Sequence, residues 1–173
     1  EQNALMVYKS GGSYTLNAKL RGDVILDEHE QYIVDNLVSG LKKMPVYKGK
    51  VYRNIQFDGF GDKAARDAYI SMHVIGEIIP YQAFTSSSTA VDGYPLDGDF
   101  VVHHVIDSVN GRDLNGYGNN FESEVLFHPY TYYITDRIEY DSDGTPTIYL
   151  TEVAYGHEET KPQTAHGGGT QRD

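Results

Sequence analysis

The stretch "FESEVLF", residues 121 to 127, sets two acids, Glu122 and Glu124, directly before the apolar run Val125, Leu126 and Phe127. In an extended chain residues i and i+2 project to the same side about 7 Å apart, so both carboxylates are expected on one strand face. Three readings stay open at this point. A solvated strand face is the ordinary one for charged residues. A glycosidase pair would use one carboxyl as acid and the other as nucleophile or base. In the third, one glutamate serves a ribose and the other an incoming nucleophile. Arg53 poses a related question, because in "KVYRNIQF" it shares the alternation phase of Val51, Ile55 and Phe57. A charge on an apolar face needs a partner. That partner is either a structural ion pair or a phosphate gripped in a cleft by the planar guanidinium. "FTSSST", residues 84 to 89, adds hydroxyls around Ser86, a composition that more often marks loops or strand ends than sites.

Other residues with chemical potential carry less. His103 and His104 are adjacent and would face opposite sides of a strand, which disfavours shared metal ligation. "HEE" at 157 to 159 lacks the second histidine of a helical zinc motif, and the glycine patterns of Walker and Rossmann loops do not occur. No metal is expected. "RGD" at 21 to 23 reads as a junction between a helix and a loop.

The elements that must position these residues come in a distinct order. "DEHEQYIVDNLVSGLKKM", residues 27 to 44, puts Ile33, Leu37 and Leu41 on one stripe beside Val34 and Val38, the spacing of an amphipathic helix. Asp27 with Glu30 resembles a capping box, Lys42 and Lys43 suit the C-terminal dipole, and Pro45 ends the helix. A second helix is predicted over 63 to 76, with Asp62 as N-cap and Ala65, Ala68, Tyr69, Met72 and Ile75 aligned. Strands are predicted at 50 to 57, 78 to 85, 99 to 107, 122 to 128, 130 to 140 and 147 to 155, the last two joined by an Asp143-Gly144 turn. Helices first and strands afterwards indicate α+β.

Length and composition bound the rest. At 173 residues the chain fits one domain, expected over 1 to 160, and the polar segment 161 to 173 reads as a disordered tail. There are no cysteines, so disulfides and thiolate metal sites are excluded. Lys and Arg number 14 against 25 Asp and Glu, and the resulting charge of −11 opposes a phosphate-tracking surface, which makes nucleic acid an unexpected partner. No apolar run approaches the roughly 20 residues needed to span a bilayer, so no membrane is expected. The 15 Tyr and 18 Gly, without Trp, suit a β-rich domain with tight turns, or a tyrosine-rich carbohydrate-binding sandwich.

An arginine on one strand, a serine-rich strand end about 33 residues on, and E-x-E before an apolar strand resemble, in that order, the R-S-E class of mono-ADP-ribosyltransferases. The likeness begins with "YTLNAKLRG" (14 to 22), followed by a helix and "VYRNI" (51 to 55), and runs past "ESEVLFHP" to about residue 155. It implies an ADP-ribosyltransferase fold: N-terminal helices packed on two antiparallel sheets that form an NAD cleft. It further implies that Arg53 binds NAD near its phosphates, that Ser86 orients the catalytic carboxylate Glu124, and that Glu122 faces the acceptor. In such a family, glutamate at the position of Glu122 goes with arginine targets. Asn54 stands where the family often has glycine, next to the nicotinamide amide, and His128 replaces the first proline of a usual pair. The segment from 89 to 99 is similar to a mobile loop over the cofactor; Tyr94 and Phe100 are both candidates to stack on nicotinamide.

The activity so implied is transfer of ADP-ribose from NAD to an arginine of a target protein, with NAD as co-substrate and no metal. ADP-ribosylation of RNA and plain NAD hydrolysis are the alternatives within the same chemistry. The short catalytic domain resembles a bacterial toxin module, secreted or delivered into the cytoplasm of a target cell. A cognate immunity protein is implied if the targets are other bacteria.

Overall fold

The structure is a computed structural model that describes residues 1–8, 13–22, 24–57, 62–91, 100–117 and 123–154. Helices α1 (Gln2–Val7), α2 (Ser13–Arg21) and α3 (Glu28–Lys42) precede strand β1 (Val46–Gln56). Helix α4 (Asp62–Ser71) follows, then β2 (Ile78–Tyr81), β3 (Thr85–Ser88), β4 (Val101–Asp113), β5 (Glu124–Phe127), β6 (Thr131–Tyr140) and β7 (Pro146–Glu152).

Helix α3 forms as its sequence dictates. The Asp27 side chain accepts from the Glu30 amide at 2.7 Å, and Glu30 accepts from the Asp27 amide at 3.1 Å, so two of the otherwise orphaned amides are satisfied reciprocally. Val34, Leu37 and Leu41 are buried, with Ile33 and Val38 partly so. This stripe joins Leu5, Leu16 and Leu20 from the first two helices and meets Phe84, Leu114 and Leu126 from the β-rich part.

The prediction of two antiparallel sheets is not what forms. The described strands make one connected seven-stranded sheet, in the order β1-β3-β5-β4-β7-β6-β2, and β1 also pairs along its length with β4. The β4–β7 pairing is parallel. A second core is built from Val51, Ile106, Val125, Phe127, Tyr133 and Ile148 among others. Strand β7 shows why: its burial alternates strictly, with Ile148 and Leu150 pointing inward.

Several element boundaries differ from expectation: β1 starts at Val46 rather than 50, β4 runs on to Asp113 rather than 107, and three further differences bear on the site. Helix α4 ends at Ser71, five residues before the predicted 76, because the chain turns to pair with the sheet. Ile75 bridges Thr135, and Gly76, at φ 83°, donates its amide to the Thr135 carbonyl at 2.8 Å. Met72 and Ile75 therefore lie exposed rather than on a buried helix stripe. The predicted strand over 78 to 85 is two strands, since β2 pairs with β6 and β3 with β5. The strand expected from 122 begins at Glu124, and Ser123 before it has φ 61°, a left-handed conformation uncommon for serine. The expectation that Glu122 and Glu124 share one strand face rests on Glu122, which lies outside the described residues. The predicted turn at Asp143-Gly144 is present, with Gly144 at φ 80° and the Asp141 side chain accepting from the amides of Asp143 and Thr145, both at 2.9 Å. The tail from 161, the RGD aspartate Asp23, the HEE segment and most of the 89 to 99 loop, Tyr94 included, lie outside the described residues.

Candidate active site

Three of the residues singled out above come together. Strands β1, β3 and β5 are laid side by side, with Tyr52 opposite Ser88 and Ser88 opposite Glu124. Ser86 is two residues from Ser88, on the same face as Glu124, and diagonal neighbours on a sheet are within reach of each other. The Ser86 hydroxyl donates to Glu124 Oε1 at 2.8 Å. From the other side, Arg53 Nη1 donates to the Ser86 carbonyl at 2.8 Å. One serine therefore links the guanidinium, through its main chain, to the carboxylate, through its side chain.

Burial gives the arrangement its weight. Glu124 is 2% exposed, and all four residues of β5 are buried. A carboxylate taken out of water needs hydrogen-bond donors, and Ser86 supplies one. Ser87 donates to the Val125 carbonyl at 2.8 Å, so the hydroxyl run is a buried, hydrogen-bonded strand rather than the loop its composition favours. Glu122 lies outside the described residues.

Arg53 lines a cleft of about 280 Å³ together with Arg21, Tyr69, His73, Tyr81 and Thr85. Ser86 and Glu124 lie beside this wall and reach it through Arg53. Arg21, the last residue of helix α2, adds a second arginine to the lining of the same cleft. Two such groups can grip a dianionic ligand by charge-assisted hydrogen bonds. Asn17 fixes that helix in place: its side-chain oxygen accepts from the Phe84 amide at 3.1 Å, and its nitrogen donates to the Tyr8 hydroxyl at 3.0 Å. Sequence reasoning missed Arg21 as a site residue, although it sits in the "YTLNAKLRG" segment that carried part of the resemblance.

Asn54 and the histidines sort by strand face. The Asn54 side chain meets His103 Nδ1 at 2.6 Å, on the face away from Arg53. His104 points the other way and is 1% exposed, with Nε2 at 2.6 Å from the Tyr69 hydroxyl. Burial and the Arg53 charge push the His104 pKa down to about 3, so this histidine is neutral. Phe100 stands under Arg66, whose guanidinium is 5.8 Å from the ring centre.

This geometry was compared with known proteins. No family model matches the chain. The Vis toxin of Vibrio splendidus, an ADP-ribosyltransferase, superposes with a TM-score of 0.66 at 20% identity, over 92% of this chain and 75% of that one. The chain has the ADP-ribosyltransferase fold. Exoenzyme S of Pseudomonas aeruginosa, solved with human 14-3-3 protein beta and carba-NAD, also matches at TM-score 0.66 and 19% identity, over 94% of this chain and 78% of that one. Among curated proteins, the NAD(+)–protein-arginine ADP-ribosyltransferase Tre1 of Serratia proteamaculans (strain 568) is 28% identical over 158 residues. The match takes in 87% of this chain but only 31% of Tre1. The ADP-ribosyltransferase fold implied by the ordered arginine, serine and glutamates is therefore observed, with one mixed sheet in place of the two antiparallel ones, and the carbohydrate-binding sandwich suggested by composition is set aside.

Proposed function

We propose that this chain is a catalytic domain that transfers ADP-ribose from NAD to an arginine side chain of a target protein and releases nicotinamide. The observation that carries the reading is the connected set Arg53, Ser86 and Glu124 at the edge of a cleft bearing a second arginine. The kinship with Tre1, named for protein-arginine ADP-ribosyltransfer, and with Vis, solved with agmatine, supports the choice of acceptor.

The chemistry follows from charge. As the bond between ribose C1′ and the nicotinamide nitrogen breaks, the electron pair leaves with nicotinamide and positive charge grows on the ribose. A carboxylate accepting a hydrogen bond from the 2′-hydroxyl stabilises that charge more in the transition state than in the ground state. Glu124 takes this role, and Ser86 holds its carboxylate in one orientation. Arg53 and Arg21 hold the two phosphates. Asn54 then borders the nicotinamide through its main chain, with its side chain turned to His103. An acceptor guanidinium is protonated at any physiological pH, so it attacks C1′ only while surrendering a proton. Glu122 attracts the cation and receives that proton.

The domain acts, on this reading, as a bacterial toxin or effector, secreted or delivered into the cytoplasm of a target cell, with a cognate immunity protein where the prey is bacterial. The test is release of nicotinamide from NAD beside labelled ADP-ribose transfer to a lysate, for the parent protein and Glu124→Gln. Label on protein that is competed by added agmatine and falls by at least about 100-fold in the variant, the loss expected for a transition-state charge contact, supports the reading. A folded Glu124→Gln protein with full activity overturns it.

A further inference from the structure

Four rings beneath the cleft form a single chain of contacts that the transfer chemistry does not use. It starts at the Arg53 carbonyl, 3.2 Å from His104 Nδ1. It continues from His104 Nε2 to the Tyr69 hydroxyl at 2.6 Å, and from there to the Tyr81 hydroxyl at 3.1 Å. Tyr81 meets His73 Nε2 at 2.7 Å, and His73 Nδ1 ends the chain on the Tyr69 carbonyl, also at 2.7 Å. The rings pack edge to face or tilted, with centroids 4.7 Å apart for Tyr69 and His73 and 5.7 Å for Tyr69 and His104.

Counting protons orders this chain. A carbonyl oxygen can only accept, so His73 Nδ1, facing the Tyr69 carbonyl, and His104 Nδ1, facing the Arg53 carbonyl, each carry hydrogen. Neutral, both rings then have a bare Nε2, to which the Tyr81 and Tyr69 hydroxyls donate. Four neutral rings hold four such protons for five contacts, and the contact left without one is Tyr69 with Tyr81. At 3.1 Å between oxygens that contact is long for an O–H donor. A fifth proton would create an imidazolium in a buried site. The cations facing His104 are Arg53 directly opposite it on β1, His73 beyond α4, and His103 next to it on β4, when they are charged.

We infer that Tyr69, His73, Tyr81 and His104 act as one positioning unit for Arg53, with both histidines donating from Nδ1 to main-chain carbonyls and both tyrosine hydroxyls donating to the histidines. The unit ties α4 and β2, which supply the cleft wall bearing Tyr69, His73 and Tyr81, to the β1–β4 pair that carries Arg53. It moves no proton in the reaction and touches no reacting atom. Its effect on catalysis rests on the NAD reading above, whereas the proton order does not.

The Tyr69→Phe variant separates the two, because it keeps the ring and removes the hydroxyl that donates to His104. Nitrogen-15 NMR of the histidines at pH 7, assigned with His73→Gln and His104→Gln, reads the tautomers directly. The parent protein is expected to show both His104 and His73 protonated on Nδ1. In Tyr69→Phe, KM for NAD is expected to rise about tenfold with a smaller change in kcat, the scale of one lost buried hydrogen bond. Parent His104 protonated on Nε2 overturns the proton order. The expected tautomers with an unchanged KM overturn the positioning role. A parent protein that neither binds nor consumes NAD sinks the functional reading instead, and the NMR result still decides the proton order.

Discussion

Single side chains divide the labour of the proposed site. Arg53, Ser86 and Glu124 were chosen by type and order along the chain, and two hydrogen bonds of 2.8 Å join them. Glu122 stands two positions before Glu124 in the chain. A division of roles between them makes a specific prediction. Changing Glu122 to Ala should abolish labelling of arginine acceptors while leaving nicotinamide release to water, since water needs no acid to attract a guanidinium and take its proton. Assaying both products on one preparation checks this, and equal loss of the two activities would refute the division. Arg53 was legible by itself because charge on an apolar strand phase is uncommon and demands a reason, whereas Ser86 and Glu124 took their roles only from the ordered resemblance. Arg21 was not legible, because a helix-terminal arginine also suits the dipole and needs no other explanation.

Elements place those side chains, and the strand that carries Glu124 is tightly constrained by its neighbour. Gly111 on β4 lies against β5, where an added Cβ would come within 2.7 Å of both Ser108 Oγ and Val125 Cγ1 and 3.0 Å of Phe127 Cε1. Gly111→Ala is therefore expected to destabilise the protein by about 1 to 3 kcal/mol through overpacking. It should lower activity beyond the loss of folded protein, because the strand pushed aside carries Glu124. Urea unfolding midpoints, with activity corrected for the folded fraction, test both parts. Helix α3 was readable to within about two residues from its capping box and stripe, since both signals are local. The early end of α4 was not, because pairing of Ile75 and Gly76 with β6 outweighed a helical periodicity that continued to residue 76. The break between β2 and β3 was equally hidden, as an apolar run does not say that its two ends pair with different strands.

The whole molecule registers the buried rings as a dependence of stability on pH. His104 has its pKa depressed to about 3 by burial and by Arg53, and His73 is lowered by burial. Their unfolded values lie near the ordinary histidine value of about 6.5. Below that pH the unfolded chain binds protons on both residues that the native protein refuses, so the stability present at neutral pH is lost as pH falls. For His104 the slope is about 1.4 kcal/mol per pH unit, running from about 6.5 down towards its folded value. Unfolding free energies measured from pH 7.5 to 4.5 should fall accordingly, and His104→Gln, which cannot titrate, should flatten the curve. A slope unchanged by that substitution would mean that other groups set the acid response.

The sequence alone determined the order of arginine, serine and glutamates, the amphipathic helix before them, the α+β class and the absence of thiol chemistry. These are properties of residue type and local spacing, which survive without knowledge of what packs where. Tertiary structure decided that the strands join in one mixed sheet, that Ser86 contacts Arg53 by its carbonyl and Glu124 by its hydroxyl, and that Arg21 lines the same cleft. It also decided that His104, adjacent to His103 in the chain, belongs to a buried network of tyrosines and histidines. Each of these depends on pairing between segments far apart in the chain, and register between distant strands is set by the burial of both at once.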